Sequence, residues 1–185
     1  MTDTPFDQTL FLDSDVYVFD KLEEVFILLD KYDMAMAHAP FRQFIELNEV
    51  PSSFSEFNTG VILFNKSEKI FAFFSEWLLN FYQLNCKRDQ PAFRKAIYDN
   101  NDIRHYTLIP EFNCRFNMIG YVCDNVNFLH GRAKDITAIE RAINERIEPR
   151  VHFFPDDFII HYNEQNNQKL FSKLYNGFLK WFRKR

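Results

Sequence analysis

The sequence is poor in cysteine and glycine and contains no long apolar run. Its 185 residues include three cysteines without a close CxxC pair, which argues against a disulfide framework and favours reduced thiols in a cytosolic protein. No apolar run reaches the roughly 18 residues that a membrane-spanning helix needs. The first residues lack the basic segment and the apolar stretch of a secretion signal. These absences predict a cytoplasmic location.

An excess of positive charge is also missing. The 22 Lys and Arg against 26 Asp and Glu residues give a net charge of −4, which argues against nucleic acid as a partner. Residues 1–60 hold 3 basic and 12 acidic residues, whereas residues 61–185 hold 19 and 14. Such a division suits a protein that holds a divalent cation on one side and an anionic group on the other, although solvated faces of opposite sign give the same counts.

Aromatic and apolar residues are abundant, with 23 Phe in a chain whose length suits one domain with a ring-rich core. Apolar runs predict strands over 9–12, 33–39, 57–65, 104–109 and 126–129. Helical spacing predicts helices over 20–31, 67–85, from 89 onward, 136–147 and 168–183, the first three capped by Asp20, Ser67 and Asp89. Strands alternating with helices predict an α/β layered fold with a mostly parallel sheet. The long connection over 40–57 is of a length that is usually functional.

Two carboxylates follow the first predicted strand directly. Asp13 and Asp15 come after the apolar run Leu10-Phe11-Leu12, which we interpret as a buried strand that ends in an acidic turn. In a turn, both side chains can converge on one hard cation, and Mg²⁺ or Mn²⁺ would fill its other positions with phosphate oxygens and water. The pair therefore predicts a cation site, with a capped turn as the structural alternative.

Five motifs in order resemble those of nucleotide-sugar glycosyltransferases with the GT-A fold. They are the DxD element in 12–16, the FN(S/A/T)G strand in 57–65, the DQ helix start in 88–93, the (F/W)N turn in 111–113 and the late His-Gly element in 128–132. Order and spacing agree over about residues 8–135, most closely with the family-8-like retaining enzymes. The resemblance implies a GT-A-like, Rossmann-like domain over 1–167, with a mixed, mostly parallel sheet flanked by helices.

The resemblance also implies a metal. Asp13, Asp15 and His130 would hold Mn²⁺ or Mg²⁺, and an imidazole beside carboxylates suits Mn²⁺ better. The cation would act as a Lewis acid on the leaving diphosphate. A hydrogen-bonded histidine at a strand end is the structural alternative for His130.

The remaining motif residues imply sugar and phosphate contacts. Gln90, near the reacting carbon, and Asp89, on the sugar, would be the catalytic residues, unless Asp89 only caps a helix and Gln90 is exposed. Asn113 could instead fix a turn. The donor-binding residues that the resemblance implies are Asn58, Thr59, Gly60, Asn113, Gly131, Arg132 and Lys134.

Glycine and charge support these contacts. Gly60 and Gly131, two of only four glycines, would let the backbone approach a ligand closely. Arg132 and Lys134 can meet phosphate oxygens. The Lys-Pro-Trp ending that is usual in the family is absent after Gly131, which leaves open which of the two basic residues meets the phosphate.

The resemblance implies a nucleotide-diphosphate sugar, most simply a UDP-sugar, as hexosyl donor, and a glycan or lipid-linked acceptor. The family carries further βα units before the DxD strand, and here only twelve residues precede Asp13. We therefore expect the N-terminal part of the domain to be missing, through a fragment, a partner that supplies it or degeneration. We therefore expect this chain alone to bind a UDP-sugar weakly or not at all.

Residues 168–185 form a separate predicted element. Apolar residues at helical spacing alternate there with Lys and Arg, as in a basic amphipathic helix. Such a helix can make peripheral contact with an anionic membrane surface, or can pack on the domain.

Two other functions fit parts of the sequence. A haloacid-dehalogenase-like Mg²⁺-dependent phosphohydrolase also begins with apolar residues and DxD, with Asp13 as nucleophile and Asp156-Asp157 completing its metal site. Tyr17 stands where that class has Thr or Val. A non-catalytic, degenerate glycosyltransferase module is the other alternative.

Overall fold

The computed structural model describes residues 1–20, 22–40, 47 and 49–154. Its strands are β1 Gln8–Leu12, β2 Val16–Val18, β3 Met34–His38, β4 Phe57–Asn65, β5 His105–Leu108, β6 Gly120–Val122, β7 Phe128–His130 and β8 Arg150–His152. Its α-helices are α1 Glu23–Phe26, α2 Glu68–Leu84, α3 Gln90–Asp99 and α4 Ile136–Ile143. The predicted helix over 168–183, the pair Asp156-Asp157 and part of the 40–57 connection lie outside the described residues.

The central sheet has four strands in the order β1-β4-β3-β5 and is covered by helices, so the predicted mixed α/β fold is confirmed. The strand directions differ from the expectation of a mostly parallel sheet. Only β3 and β5 run parallel, whereas β1 and β3 both pair antiparallel with β4 between them. The physical reason for the difference is that an apolar run indicates a strand but carries no information on the direction in which that strand pairs.

Strand β4 lies at the centre of the sheet and supplies both layers of the core. Its residues from Phe57 to Phe64 are all buried, and alternate side chains point to opposite faces. Ile62 and Phe64 pack in one cluster with the α2 and α3 rings, and Val61 and Leu63 pack in another. A third cluster joins β7 to α4 through Leu129 and Ile139. The ring-rich core that the composition predicts is therefore present on the α2–α3 side.

Helix α2 begins and ends where the sequence predicts. The Oγ of Ser67 accepts a hydrogen bond from the Ile70 amide (3.2 Å), and Asn85, with φ of 48°, ends the helix in the left-handed conformation. Leu78 in α2 is 54% exposed. At 100° per residue, Leu78 lies about 110° from the centre of the stripe between Ile70 and Phe73, so it falls outside the buried face.

The first helix and the first strand both differ from their predictions. Helix α1 spans one turn and continues as a 3₁₀ turn, and its N-cap is Leu22 without a side-chain hydrogen bond, so Asp20 does not cap it. The β-branched residues Val25 and Ile27 have a lower helix propensity, which is consistent with an α-helix of only one turn here. Strand β1 is half-buried, not buried, because it lies at the edge of the described sheet.

Two small antiparallel pairs, β2 with β7 and β6 with β8, complete the described fold. The Asp135 side chain accepts from the Ala138 amide and caps α4, which ends at Ile143, four residues earlier than predicted. No helix among the described residues combines the length and the apolar character that crossing a membrane requires.

Candidate metal centre

Backbone hydrogen bonds hold the acidic turn after β1 between two strands. The Asp13 amide donates to the Gly60 carbonyl on β4 (2.8 Å), and the Gly131 amide just after β7 donates to the Asp15 carbonyl (2.9 Å). Strand β2, which follows the turn, pairs with β7, whose last residue is His130. The fold therefore brings the two aspartates and the histidine together from distant parts of the chain.

The three side chains form one compact group. One potential ligand atom from each of Asp13, Asp15 and His130 lies within 4.8 Å of the other two. The Nε2 atom of His130 is 3.6 Å from Asp15 Oδ1 and 3.9 Å from Asp13 Oδ2. The imidazole is 2% exposed, whereas the Asp15 and Asp13 side chains are 28% and 47% exposed. A buried nitrogen thus lies below two carboxylates that are open to solvent.

The electrostatics of the group suit a cation. Burial lowers the pKa of His130 to about 4, and Arg115 acts in the same direction while Asp15 opposes it, so the imidazole is neutral at pH 7. Burial and the negative charges of Asp15 and Asp89 raise the pKa of Asp13, with Arg115 opposing. A divalent cation between the carboxylates would relieve their mutual repulsion.

Gly60 lies against this group, as a close-approach glycine should. A Cβ at Gly60 would lie 2.2 Å from His130 Cε1 and 2.7 Å from Asp13 Oδ2. What approaches this backbone is therefore the imidazole and a carboxylate of the protein itself. Gly131 has φ of +137°, which side chains rarely adopt, and its amide donates to the Asp15 carbonyl.

Asn58 and Asn113 lie behind the imidazole and are 3% and 5% exposed. Asn113 Oδ1 is 2.7 Å from His130 Nδ1, and Asn113 Nδ2 donates to Asn58 Oδ1 at 2.9 Å. The structure therefore joins these two predicted donor-binding residues to the predicted metal ligand through a buried hydrogen-bond chain.

The start of α3 borders the same region. Asp89 is the N-cap residue, but its side chain makes no capping hydrogen bond and instead accepts from Thr59 Oγ1 (3.1 Å). The interpretation of Asp89 as a mere helix cap is therefore wrong. Trp77 Nε1 donates to the Asp89 carbonyl (3.1 Å), which fixes the turn before α3. Gln90, the first helical residue, is half-buried, not exposed.

The two predicted phosphate cations lie farther out. Arg132 and Lys134 are exposed just beyond Gly131, and neither forms an ion pair with a described residue. The sequence hypothesis missed a third cation, Arg115, whose Nη1 donates to His130 Nε2 at 3.3 Å. Nothing in the local sequence marks Arg115, because it reaches the site only through the turn that follows Asn113.

A cavity of about 270 Å³ opens next to Arg115. Asn113, Pro110, Tyr121 and His152 contribute to its wall. Within that wall, Cys114 Sγ lies 3.3 Å from His152 Nε2, a second buried pair that the sequence hypothesis did not include.

No protein-family model matches the chain, and no curated protein matches it either. Two solved structures show partial similarity. The glycosyltransferase GlyE of Streptococcus pneumoniae TIGR4 is 23% identical with a TM-score of 0.44 over 62% of this chain. The galactosyltransferase LgtC, solved with donor and acceptor sugar analogues, is 22% identical with a TM-score of 0.39 over 60% of this chain. This chain spans 28% of the length of GlyE and 41% of the length of LgtC.

Proposed function

We propose that this chain carries the metal- and diphosphate-binding part of a metal-dependent glycosyltransferase with the GT-A fold. The donor would be a nucleotide-diphosphate sugar, most simply a UDP-sugar, and the acceptor a glycan or lipid-linked glycan, with hexosyl transfer and retention of configuration. The observation that carries the proposal is the convergence of Asp13, Asp15 and the neutral imidazole of His130 within 4.8 Å. The motif order over residues 8–135 supports the same class of enzyme.

The donor set of this group fits Mn²⁺. One imidazole nitrogen and two carboxylates satisfy an ion that accepts mixed nitrogen and oxygen ligands, whereas Mg²⁺ prefers oxygen alone. Asp13, Asp15 and His130 would hold the ion, and a bound cation would supply charge neutralisation to a leaving diphosphate. The exposed carboxylates leave one side of the group open to solvent, where phosphate oxygens can approach.

The neighbouring polar groups suit a sugar diphosphate. Asp89, linked to Thr59, would bind sugar hydroxyls at the edge of the metal group, because carboxylates accept hydrogen bonds from adjacent hydroxyls. Gln90 at the start of α3 would lie near the reacting carbon. Arg132 and Lys134 are exposed, and their charge would meet phosphate oxygens.

Metal binding by the full chain tests the proposal. Isothermal titration with Mn²⁺ should give one site in the unmodified protein, and His130→Gln should weaken it at least tenfold, because the buried nitrogen ligand is lost. His152→Gln is the matched control, since His152 is also buried and also has a pKa lowered to about 4, but its Nε2 contacts the Cys114 thiol, and among the described residues His152 belongs to no group of three potential metal ligands.

A second titration, with UDP in the presence of Mn²⁺, tests the diphosphate half of the proposal. Because donor binding by this chain alone is expected to be weak, UDP should bind weakly and only when Mn²⁺ is present, and the His130→Gln variant should show no UDP binding at the same Mn²⁺ concentration. Equal Mn²⁺ affinity in the unmodified protein and in His130→Gln would contradict the proposed site.

A further inference from the structure

We propose that Asn113, itself held by Asn58, is a positioning residue that fixes His130 in the tautomer whose Nε2 lone pair faces Asp13 and Asp15. The inference rests on the proposed metal site. It gives Asn58 and Asn113 a different role from the sugar contacts that the sequence resemblance implies. The orientation of each group follows in turn from a backbone amide at one end of the chain of hydrogen bonds.

This series of hydrogen bonds begins at the Gly60 amide, a group that can act only as a donor. The Gly60 amide can only donate, and it lies 3.0 Å from the Asn58 side-chain atom assigned as Oδ1. An amide nitrogen at that position would place two donors against each other. The oxygen of Asn58 must therefore face Gly60, which settles the orientation of this side chain without reference to the imidazole.

The next two groups follow from that orientation. Because Asn58 Oδ1 accepts, the Asn113 atom 2.9 Å away must be the donor Nδ2, and the other end of the Asn113 amide is the acceptor Oδ1. This oxygen lies 2.7 Å from His130 Nδ1, so Nδ1 carries the proton. A neutral imidazole has a single N–H, and its Nε2 therefore presents a lone pair.

A contact on the opposite side of the ring gives the same tautomer. Arg115 Nη1 lies 3.3 Å from His130 Nε2, and a guanidinium has donors only. Nε2 must therefore accept. The hydrogen bonds that start at Gly60 and the hydrogen bond from Arg115 thus both place the lone pair on Nε2, which lies 3.6 Å from Asp15 Oδ1.

Burial makes this arrangement hard to replace. Asn58, Asn113 and His130 are 3%, 5% and 2% exposed, so water has little access to complete the hydrogen bonds of an altered network. Both polar atoms of the Asn113 side chain already form hydrogen bonds, Oδ1 with His130 and Nδ2 with Asn58. Asn113 cannot turn toward a sugar without breaking a buried hydrogen bond. Its contribution to metal binding is therefore the orientation of the imidazole.

The experiment measures the tautomer and the metal affinity separately. Nitrogen-15 NMR of the histidine rings in the metal-free full chain should show a protonated Nδ1 and an unprotonated Nε2 for His130. Asn113→Leu removes the acceptor, and we expect a mixture of tautomers and a 10- to 100-fold loss of Mn²⁺ affinity by calorimetry. Asn113→Asp keeps an acceptor toward Nδ1 and should retain the tautomer, with Mn²⁺ affinity closer to the unmodified value than in Asn113→Leu.

Asn65→Leu is the matched control, because Asn65 lies at the other end of β4 and its side-chain amide also donates hydrogen bonds, in this case to the backbone carbonyls of Leu29 and Tyr32. It should lower stability without moving the His130 signals or the Mn²⁺ affinity.

An Nε2-protonated His130 in the unmodified protein would overturn the inference even if every variant failed to fold. Loss of Mn²⁺ binding in His130→Gln with unchanged binding in Asn113→Leu would overturn it while leaving the proposed function intact. No Mn²⁺ binding by the unmodified protein would instead contradict the proposed function, and the metal-free NMR signals would still decide the tautomer.

Discussion

Two buried histidines, His130 and His152, have closely similar surroundings in the described part of the chain. They are 2% and 6% exposed, and burial is the main reason why the pKa of each is lowered to about 4. Each ring lies against a glycine, since a Cβ at Gly60 would lie 2.2 Å from the first ring and a Cβ at Gly120 2.3 Å from the second. Burial, a neutral imidazole and a glycine neighbour are thus shared by both.

The partner of each Nε2 atom differs. Two carboxylates lie within 4.0 Å of His130 Nε2, whereas His152 Nε2 contacts the Cys114 thiol at 3.3 Å. Burial raises the pKa of that thiol far above its ordinary value, so this pair is neutral and carries no charge for a cation. Successive residues, Asn113 and Cys114, contact the two rings. A buried neutral histidine is therefore ordinary core structure unless carboxylates face one of its ring nitrogens.

The largest expected difference between the two histidines is in Mn²⁺ binding when one methyl group is added beside each ring. Gly60→Ala would press on His130 Cε1 and Asp13 Oδ2, so we expect at least tenfold weaker Mn²⁺ binding together with a loss of about 1–3 kcal/mol of stability from overpacking. Gly120→Ala would press on the His152 ring and should cost similar stability with unchanged Mn²⁺ binding. Calorimetry and urea unfolding measure the two quantities.

Neither glycine has a positive φ among the described residues, so an alanine is allowed by the backbone at both positions and the effect is steric. Equal Mn²⁺ affinity in the two alanine variants would mean that the His130 group is no more a metal site than the His152 pair.

The sequence predicted one of these two clusters better than the other, for physical reasons. The acidic pair Asp13 and Asp15 is local and follows an apolar run, so the pattern alone indicates a cation site, and His130 joins it only through the resemblance. The Cys114–His152 pair could not be predicted, because β8, which carries His152, has three residues and too little periodicity to indicate a strand, and Cys114 lies outside the described strands.

The orientation of Asn113 also lay beyond sequence reasoning. A buried asparagine and a ligand-binding asparagine have the same residue type, and only the pairing of distant segments decides which way the amide points. The strand directions were mispredicted for a related reason. Periodicity indicates that β3 and β4 are strands, but whether they run parallel depends on the connection between them.

The free energy of unfolding should fall at acidic pH, because both imidazoles are buried in their neutral form. The unfolded chain takes up a proton on each histidine near pH 6.5, whereas each folded ring does so only near pH 4, so stability falls as the pH drops from 6.5 toward 4. Between pH 7 and pH 5 each ring should contribute a loss of roughly 2 kcal/mol. Urea unfolding at the two pH values should therefore show a smaller loss in His152→Gln than in the unmodified protein.

Added Mn²⁺ should reduce the part of this acid-induced stability loss that comes from His130, but not the part that comes from His152. A cation bound to His130 stabilises the folded form with that ring unprotonated, and so offsets the part of the loss that belongs to His130. In His152→Gln the acid loss that belongs to His152 is absent. Added Mn²⁺ should therefore offset a larger fraction of the stability lost at pH 5 than it does in the unmodified protein. The same pH dependence in His152→Gln as in the unmodified protein would contradict the lowered pKa of His152.

The smallest predicted effect concerns Arg115, whose guanidinium contacts the His130 ring. Its guanidinium donates to His130 Nε2 at 3.3 Å and opposes the raised pKa of Asp13, so it occupies the lone pair that a cation would use. Arg115→Met keeps much of the side-chain volume and removes the charge, and we expect Mn²⁺ affinity to rise a few-fold because no internal cation has to leave Nε2. UDP affinity in the presence of Mn²⁺ should fall if the released guanidinium of the unmodified protein meets phosphate. A lower Mn²⁺ affinity in Arg115→Met would show that the arginine holds the ring in place for the metal instead of competing with it.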